Sequence, residues 1–270
     1  MIYSKMPPAV LVFAGSDPTG GAGIQASIES ITSAGCHPVT VVTAVTIQDT
    51  EDVHGYAPLD HEIIIEQARA VLEDIPVSAI HIGMIGSADA AEAIHSILVD
   101  YPDIPVVLDP ILFAGGGTAL ADDEIAEIMI SLLLPLTTVI TPNSDEAYTL
   151  SPGADSLDAC ANSLIDYGCE HVLITGTHSS TANVVNTLYS ADSNSAMRFE
   201  WDRLPNTYHG SGCTLAASIA AHIAKAEPID IAVKKAQEYT WNALKHGTRM
   251  GMGQYIPNRF YWTSFNQSKN

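Results

Sequence analysis

AVLVFAGSDPTGGAGIQASIESITSAG, residues 9–35, decides how the chain is read. The unbroken apolar run AVLVFA (9–14) has the length and the branched and aromatic content of a strand buried on both faces. A glycine-rich turn follows. GIQASIESITSAG (23–35) then places apolar residues at helical spacing until Gly35 closes it. A buried strand, a polar turn and a helix form the first half of a βαβ unit, and the alternation recurs outward. VTVVTAVT (39–46), AIHIGM (79–84), PVVLD (105–109), TTVIT (137–141) and HVLIT (171–175) read as further strands. Helical patterns cover 61–74, 88–99, 122–133, 143–150 and 156–167 between them. VVNTLYS (184–190) and SAMRFEW (195–201) resemble a hairpin around ADSN, and helices near 213–226 and 229–247 complete the pattern. The expected fold is α/β: a mostly parallel central sheet covered by helices on both faces, with a small antiparallel addition, in a single domain over 1–270.

The chain has 270 residues, 47% of them hydrophobic, enough for a sizeable core. Eleven Lys and Arg stand against 31 Asp and Glu, a net charge of −20. That balance argues against a nucleic-acid or anionic-membrane partner, both of which need a basic face. An anionic substrate would have to be held by backbone N–H groups, helix N-termini or a metal. Cys36, Cys160, Cys169 and Cys213 form no CxxC pair, and their number suits a reduced compartment. The N-terminal apolar stretch is too short to span a membrane and lacks a small-residue cleavage site. The expected location is cytoplasmic.

In parallel sheets, ligands bind outside the carboxyl ends of the strands, so the residues that follow each strand carry the chemistry. AGSDPTGGAG (14–23) is neither a dinucleotide fingerprint nor a Walker loop. Asp17 within it is either a turn cap or a ligand-facing carboxylate. HGSGCT (209–214) opens a helix, and its glycines let the N–H groups of 211–213 converge into an anion hole. Cys213 falls in the first turn, where the helix dipole lowers a thiol pKa; an ordinary buried cysteine fits the local pattern as well. His209 is near in sequence, its reach open. In TPNSDEA (141–147), Asn143 and Glu146 match a capping box. The functional alternative is a magnesium or water-mediated metal site shared with Asp109. HEIII at 61–65 lacks the second histidine of a zincin.

AGSDPTGGAGIQA, VTAVTIQDT, IGMIGS, VVLDP, LLPLTTVITPNSDEA and YHGSGCTLAASIAA together carry a resemblance. In order and spacing the chain resembles the hydroxymethylpyrimidine and phosphomethylpyrimidine kinases of thiamine biosynthesis, from about residue 9 to about 258. The resemblance implies a ribokinase-like three-layer sandwich. It implies ATP-dependent phosphorylation of 4-amino-5-hydroxymethyl-2-methylpyrimidine to the monophosphate and then the diphosphate. It also implies ATP and Mg2+ as cofactors, a monovalent cation, and a homodimer. Gln48 matches the family's pyrimidine-binding glutamine, Asp17 and Gly15 its substrate loop, and Met84 the methionine on the pyrimidine face. Gly210, Ser211 and Gly212 match the anion hole. Cys213 takes the place of the aspartate that serves as catalytic base in the wider fold. Asp109, Asn143, Glu146 and Thr175 fall in the nucleotide and metal vicinity, with Mg2+ held by Asp109 and Glu146 through water. The adenine pocket is expected between residues 175 and 245.

The chain departs from the family pattern in several places. Thr175-Gly176-Thr177-His178 and Ala114-Gly115-Gly116-Gly117 each lack a phosphate-facing lysine. Tyr208 is an extra residue expected to move His209 relative to the phosphates. Ser27 replaces an aspartate on what is expected to be a helix surface. Two rival readings remain at this point: a pyridoxal or pyridoxine kinase of the same fold, and a pyrimidine-binding relic without catalysis.

Overall fold

β1 (Ala9–Ser16) is buried along all but its last residue. Leu11 and Phe13 enter one core, and Val10, Val12 and Ala14 enter another on the opposite face. A strand covered on both faces has no solvent side, so its sequence is continuously apolar rather than alternating. In the computed structural model, residues 6–118, 120–176 and 182–263 are described. Thr177 and His178 of the TGTH stretch lie outside them.

β1 passes through the glycine loop into α1 (Gly23–Ser33) and on to β2 (His37–Gln48), which lies parallel to β1. The sheet continues with β3 (Val53–Pro58), β4 (Val77–Ile82), β5 (Val106–Leu108), β6 (Val139–Ile140), β7 (His171–Ile174), β8 (Asn183–Ser190) and β9 (Ser193–Asp202). Its nine strands are ordered β3-β2-β1-β4-β5-β6-β7-β8-β9. From β2 to β7 neighbours are parallel; β3, β8 and β9 are antiparallel additions at the two edges. The chain turns to opposite sides of β1 for β2 and β4, which makes the β1–β4 gap the switch point.

α2 (His61–Asp74), α3 (Ala88–Asp100), α4 (Asp123–Ile128) and α6 (Leu157–Asp166) pack on the Leu11–Phe13 face; α1, α7 (Ser211–Ala224) and α8 (Ile229–Lys245) cover the other. α7 is rich in Ala and buries nearly every residue from Cys213 to Ala224. Small side chains let it lie close to the sheet, which brings its N-terminus to the strand ends. Among the described residues, no helix is long and apolar enough to cross a membrane.

The structure corrects the sequence reading in three places. β3 is a strand, although VHGYAP carries a glycine and a proline; it is ordered by pairing with the extended end of β2, a contact no local pattern encodes. The helix expected over 122–133 holds α-geometry only to Ile128, then widens over Met129–Leu133 and tightens over Leu134–Leu136, where Pro135 removes an N–H donor. Ser27 is 1% exposed, with its hydroxyl donating to the Gly23 carbonyl at 3.1 Å, so it is a core position and not a surface one.

Candidate active site

The loops leaving β1, β4, β5, β6 and β7, the tip of β2 and the turn into α7 surround one cleft of about 1030 Å³. The candidate substrate, anion-hole and nucleotide-side residues line it. Gly15, Asp17, Gln48 and Met84 stand at the β2–β1–β4 end, and Asp109, Asn143, Glu146 and Thr175 along the β5–β7 wall. Gly210, Ser211, Gly212 and Cys213 lie between them.

Asp17 is 2% exposed and fully engaged. Its Oδ1 accepts the Thr19 N–H at 2.8 Å, and its Oδ2 accepts the Ala22 N–H at 2.7 Å. His209 Nε2 lies 2.8 Å from the same Oδ2 and 2.9 Å from Gln48 Nε2. Burial alone would raise the Asp17 pKa, but the bonds from His209 and Thr19 outweigh it and hold the carboxyl below its usual range. Asp17 is therefore both the turn cap and a cleft carboxylate. Tyr208 packs edge-on against Tyr255, with ring centroids 6.0 Å apart. His209 N–H donates to the Tyr255 carbonyl at 2.9 Å.

Gly210 caps the start of α7; its φ of +73° is left-handed, and its absent Cβ makes room for the Gly21 carbonyl. No side chain caps this helix. Its first N–H groups are left for whatever occupies the cleft. A Cβ on Gly212 would lie 3.6 Å from both Asp109 carboxylate oxygens, so the helix end and Asp109 face each other.

Asp109 is the electrostatic opposite of Asp17. It is 4% exposed, and its Oδ2 is buried without a hydrogen-bond partner. Burial pushes its pKa up to about 6, against smaller opposing effects of Cys213 and Thr141. Glu146 is pushed to about 8, first by burial and then by the Asp109 charge. The Asn143–Glu146 capping box is complete and opens α5 (Ser144–Thr149). One Glu146 oxygen thus accepts the Asn143 N–H at 2.9 Å. Two adjacent buried carboxylates, both driven toward the neutral form, suit a divalent cation that keeps its waters. Among the described residues, no group of three acidic, His or Cys side chains could enclose a metal directly.

The expected lowering of the Cys213 thiol pKa does not hold. Burial pushes it up, and the neighbouring Asp109 charge pushes the same way; together they outweigh the Gly23 backbone hydrogen bond and the Arg259 charge.

At the β7–β9 end, Gly176 N–H donates to Asn186 Oδ1 at 3.0 Å, and Asn186 Nδ2 and Trp201 Nε1 both donate to Gln237 Oε1, at 2.8 and 3.0 Å. Trp201 and Trp241 rings lie 6.5 Å apart. Asn186, Trp201, Gln237 and Trp241 carry no local motif that would single them out, because they converge from a strand pair and α8. Among the described residues lining the cleft, Arg203 is the only lysine or arginine. At the missing-lysine position a Cβ on Gly115 would lie 2.9 Å from Gln254 Oε1, and at the next residue a Cβ on Gly116 would overlap the Asp52 carboxylate, to which Thr118 Oγ1 donates at 2.8 Å.

The chain matches the family model described as phosphomethylpyrimidine kinase over residues 17–258. It is 36% identical to a hydroxymethylpyrimidine/phosphomethylpyrimidine kinase of Streptomyces coelicolor, covering 92% of each chain. The fold is similar to that of a phosphomethylpyrimidine kinase from Clostridium difficile, with a TM-score of 0.75, 32% identity and coverage of 86% of this chain and 97% of the other. It is also similar to the pyridoxal kinase from Staphylococcus aureus in complex with AMP-PCP and pyridoxal, with a TM-score of 0.86, 26% identity and 96% of each chain covered.

Proposed function

The chain belongs to the phosphomethylpyrimidine kinase family, and from that premise we propose that it phosphorylates 4-amino-5-hydroxymethyl-2-methylpyrimidine with ATP, first to the monophosphate and then to the diphosphate, in thiamine biosynthesis. The observation that carries the reading is one continuous cleft. It joins an ordered polar end at Asp17, His209 and Gln48 to a phosphoryl end at the α7 N-terminus, Asp109 and Glu146.

In this reading the pyrimidine lies against Gln48, Met84 and Gly15. The Gln48 amide can donate and accept, as an aminopyrimidine edge requires. The transferring phosphoryl group meets the N–H groups of Ser211, Gly212 and Cys213, which supply positioning and charge compensation, the main requirements of phosphoryl transfer. Mg2+ would be held by Asp109 and Glu146 through water, with Asn143 and Thr175 beside it. When bound it would neutralise phosphate charge in a chain that offers the cleft only one lysine or arginine among its described lining residues. A monovalent cation is proposed as a further cofactor, on the family resemblance alone. Cys213 has two proposed roles: lining the hole and accepting the hydroxyl proton. Burial of the thiol supports the first and opposes the second.

We further propose a single working domain, supported by the one continuous sheet, and a cytoplasmic location, supported by four buried free cysteines. A homodimer is proposed on Val45 and Ile47, apolar and exposed at 49% and 69% at the end of β2; sedimentation tests it.

The deciding experiment is mass-resolved product analysis with MgATP and hydroxymethylpyrimidine, with pyridoxal in parallel. Monophosphate followed by diphosphate is expected. A folded protein that leaves the pyrimidine untouched sinks the reading. Product from pyridoxal alone would favour the vitamin B6 kinase, the reading to which the similarity with pyridoxal kinases lends weight.

A further inference from the structure

Arg259 lies one residue beyond the segment that matches the family model. It is 1% exposed and heads the largest fully buried side chains of the molecule. A guanidinium enclosed in so acidic a chain needs an acceptor for nearly every N–H it carries. It has them on three separate elements. Nε donates to Thr214 Oγ1 at 2.9 Å, in the first turn of α7. Nη1 donates to the Gly20 carbonyl at 3.2 Å and to Glu29 Oε2 on α1 at 3.1 Å. Nη2 donates to the Gly21 carbonyl. Its own carbonyl accepts from Ser33 Oγ at 2.8 Å and from the Tyr239 hydroxyl at 3.0 Å, so the backbone that carries the fork is also fixed.

These partners are the two glycine loops of the cleft. Thr214 Oγ1 donates onward to the Gly210 carbonyl at 2.7 Å, the residue that opens the anion hole. Gly21 packs under the His209 ring, and its carbonyl occupies the space a Cβ on Gly210 would need. We propose that Arg259 is a positioning residue for phosphoryl transfer, clamping the substrate-side loop at Gly20–Gly21 to the anion hole at Gly210–Thr214. The planar fork is what makes this possible: it reaches three elements at once in fixed directions, which the ammonium of a lysine cannot do. Its positive charge also acts on Cys213, slightly opposing the rise in thiol pKa that burial and Asp109 cause.

The inference rests on the kinase reading of this cleft. Arg259→Lys keeps the charge and loses the fork; Thr214→Val keeps the shape and loses one acceptor. Expected are a fall in kcat per folded molecule of about ten- to a hundredfold for Arg259→Lys, with KM for ATP changed only a few-fold, and a smaller fall for Thr214→Val. A role confined to stability would lower the melting temperature and leave kcat per folded molecule alone. Folded Arg259→Lys with wild-type kcat overturns the proposal. If that variant does not fold, wild-type kcat in Thr214→Val overturns it. Should the wild type itself leave the pyrimidine untouched, the kinase reading fails, and amide hydrogen exchange decides the clamp. Faster exchange at residues 20–22 and 210–214 in Arg259→Lys, with α8 unchanged, supports it; equal exchange overturns it.

Discussion

Asp17 and Asp109 occupy equivalent places, each just beyond a buried parallel strand and each nearly inaccessible to solvent. Their surroundings are opposite. Asp17 is held by backbone N–H groups, the Thr19 hydroxyl and His209, and stays ionised. Asp109 keeps one oxygen without a partner and is driven toward the neutral form, with Glu146 beside it. The difference teaches where the cleft is finished and where it depends on its ligand. The Asp17 end is organised by the protein's own hydrogen bonds, whereas the Asp109 end keeps a buried carboxylate oxygen without a partner beside a second carboxyl pushed toward its neutral form.

The largest effect should come from breaking the Asp109 end. Asp109→Asn is expected to lower kcat by about a hundred- to a thousandfold, some 3–4 kcal/mol of transition-state stabilisation, while leaving the fold intact. A kcat within tenfold of wild type would remove Asp109 from the phosphoryl site. At the other end stability should suffer first. Asp17→Ala orphans the Thr19 and Ala22 N–H groups and His209, and is expected to cost about 2–4 kcal/mol in urea unfolding. An unchanged unfolding midpoint would show that the loop does not rely on this carboxylate.

Acid titration sharpens the contrast, because the two signs differ. Asp17 has a folded pKa below its ordinary 3.8, so its contribution is fully present above pH 3.8 and is lost as pH falls through the folded value. Asp109 has a folded pKa of about 6 against 3.8, so its ionisation penalises the ligand-free fold above pH 6 and is relieved between about 6 and 3.8. Asp109→Asn should therefore be more stable than wild type at pH 7, by up to about 3 kcal/mol, with the gap closing toward pH 4. The wild-type advantage over Asp17→Asn should instead persist to about pH 4 and vanish below it. Parallel pH trends for the two variants would mean that the carboxylates do not differ as described.

MgATP should raise the melting temperature, by an amount equivalent to about 2.7 kcal/mol at a hundredfold excess over Kd. That gain should be lost in Asp109→Asn and kept in Asp17→Asn. The smallest effect is expected at Cys213. With its thiol protonated by burial, Cys213→Ser should keep kcat within about tenfold, because the backbone forms the hole. A loss of a thousandfold would restore the general-base role.

The strand run, the polar loops at the strand ends and the residues that face the cleft were legible in the sequence, since each depends on a short stretch. AVLVFA is apolar because both faces are covered, and HGSGC carries glycine because the left-handed Gly210 must admit the Gly21 carbonyl. β3 was not legible: its partner strand creates it. Nor was the pairing of His209 with Asp17, residues 192 positions apart.

Local order and spacing thus specified the architecture and gathered the candidate residues, because hydrophobic period and turn chemistry act over a few positions. The charge state of those residues was a matter for the assembled molecule. In sequence the thiol at a helix start could be either acidic or an ordinary buried cysteine, and in the folded protein burial and Asp109 raise its pKa. The arginine that ties the two loops together lies past every recognisable motif. Desolvation and long-range hydrogen bonds depend on what surrounds a group in three dimensions, and no spacing along the chain carries that information.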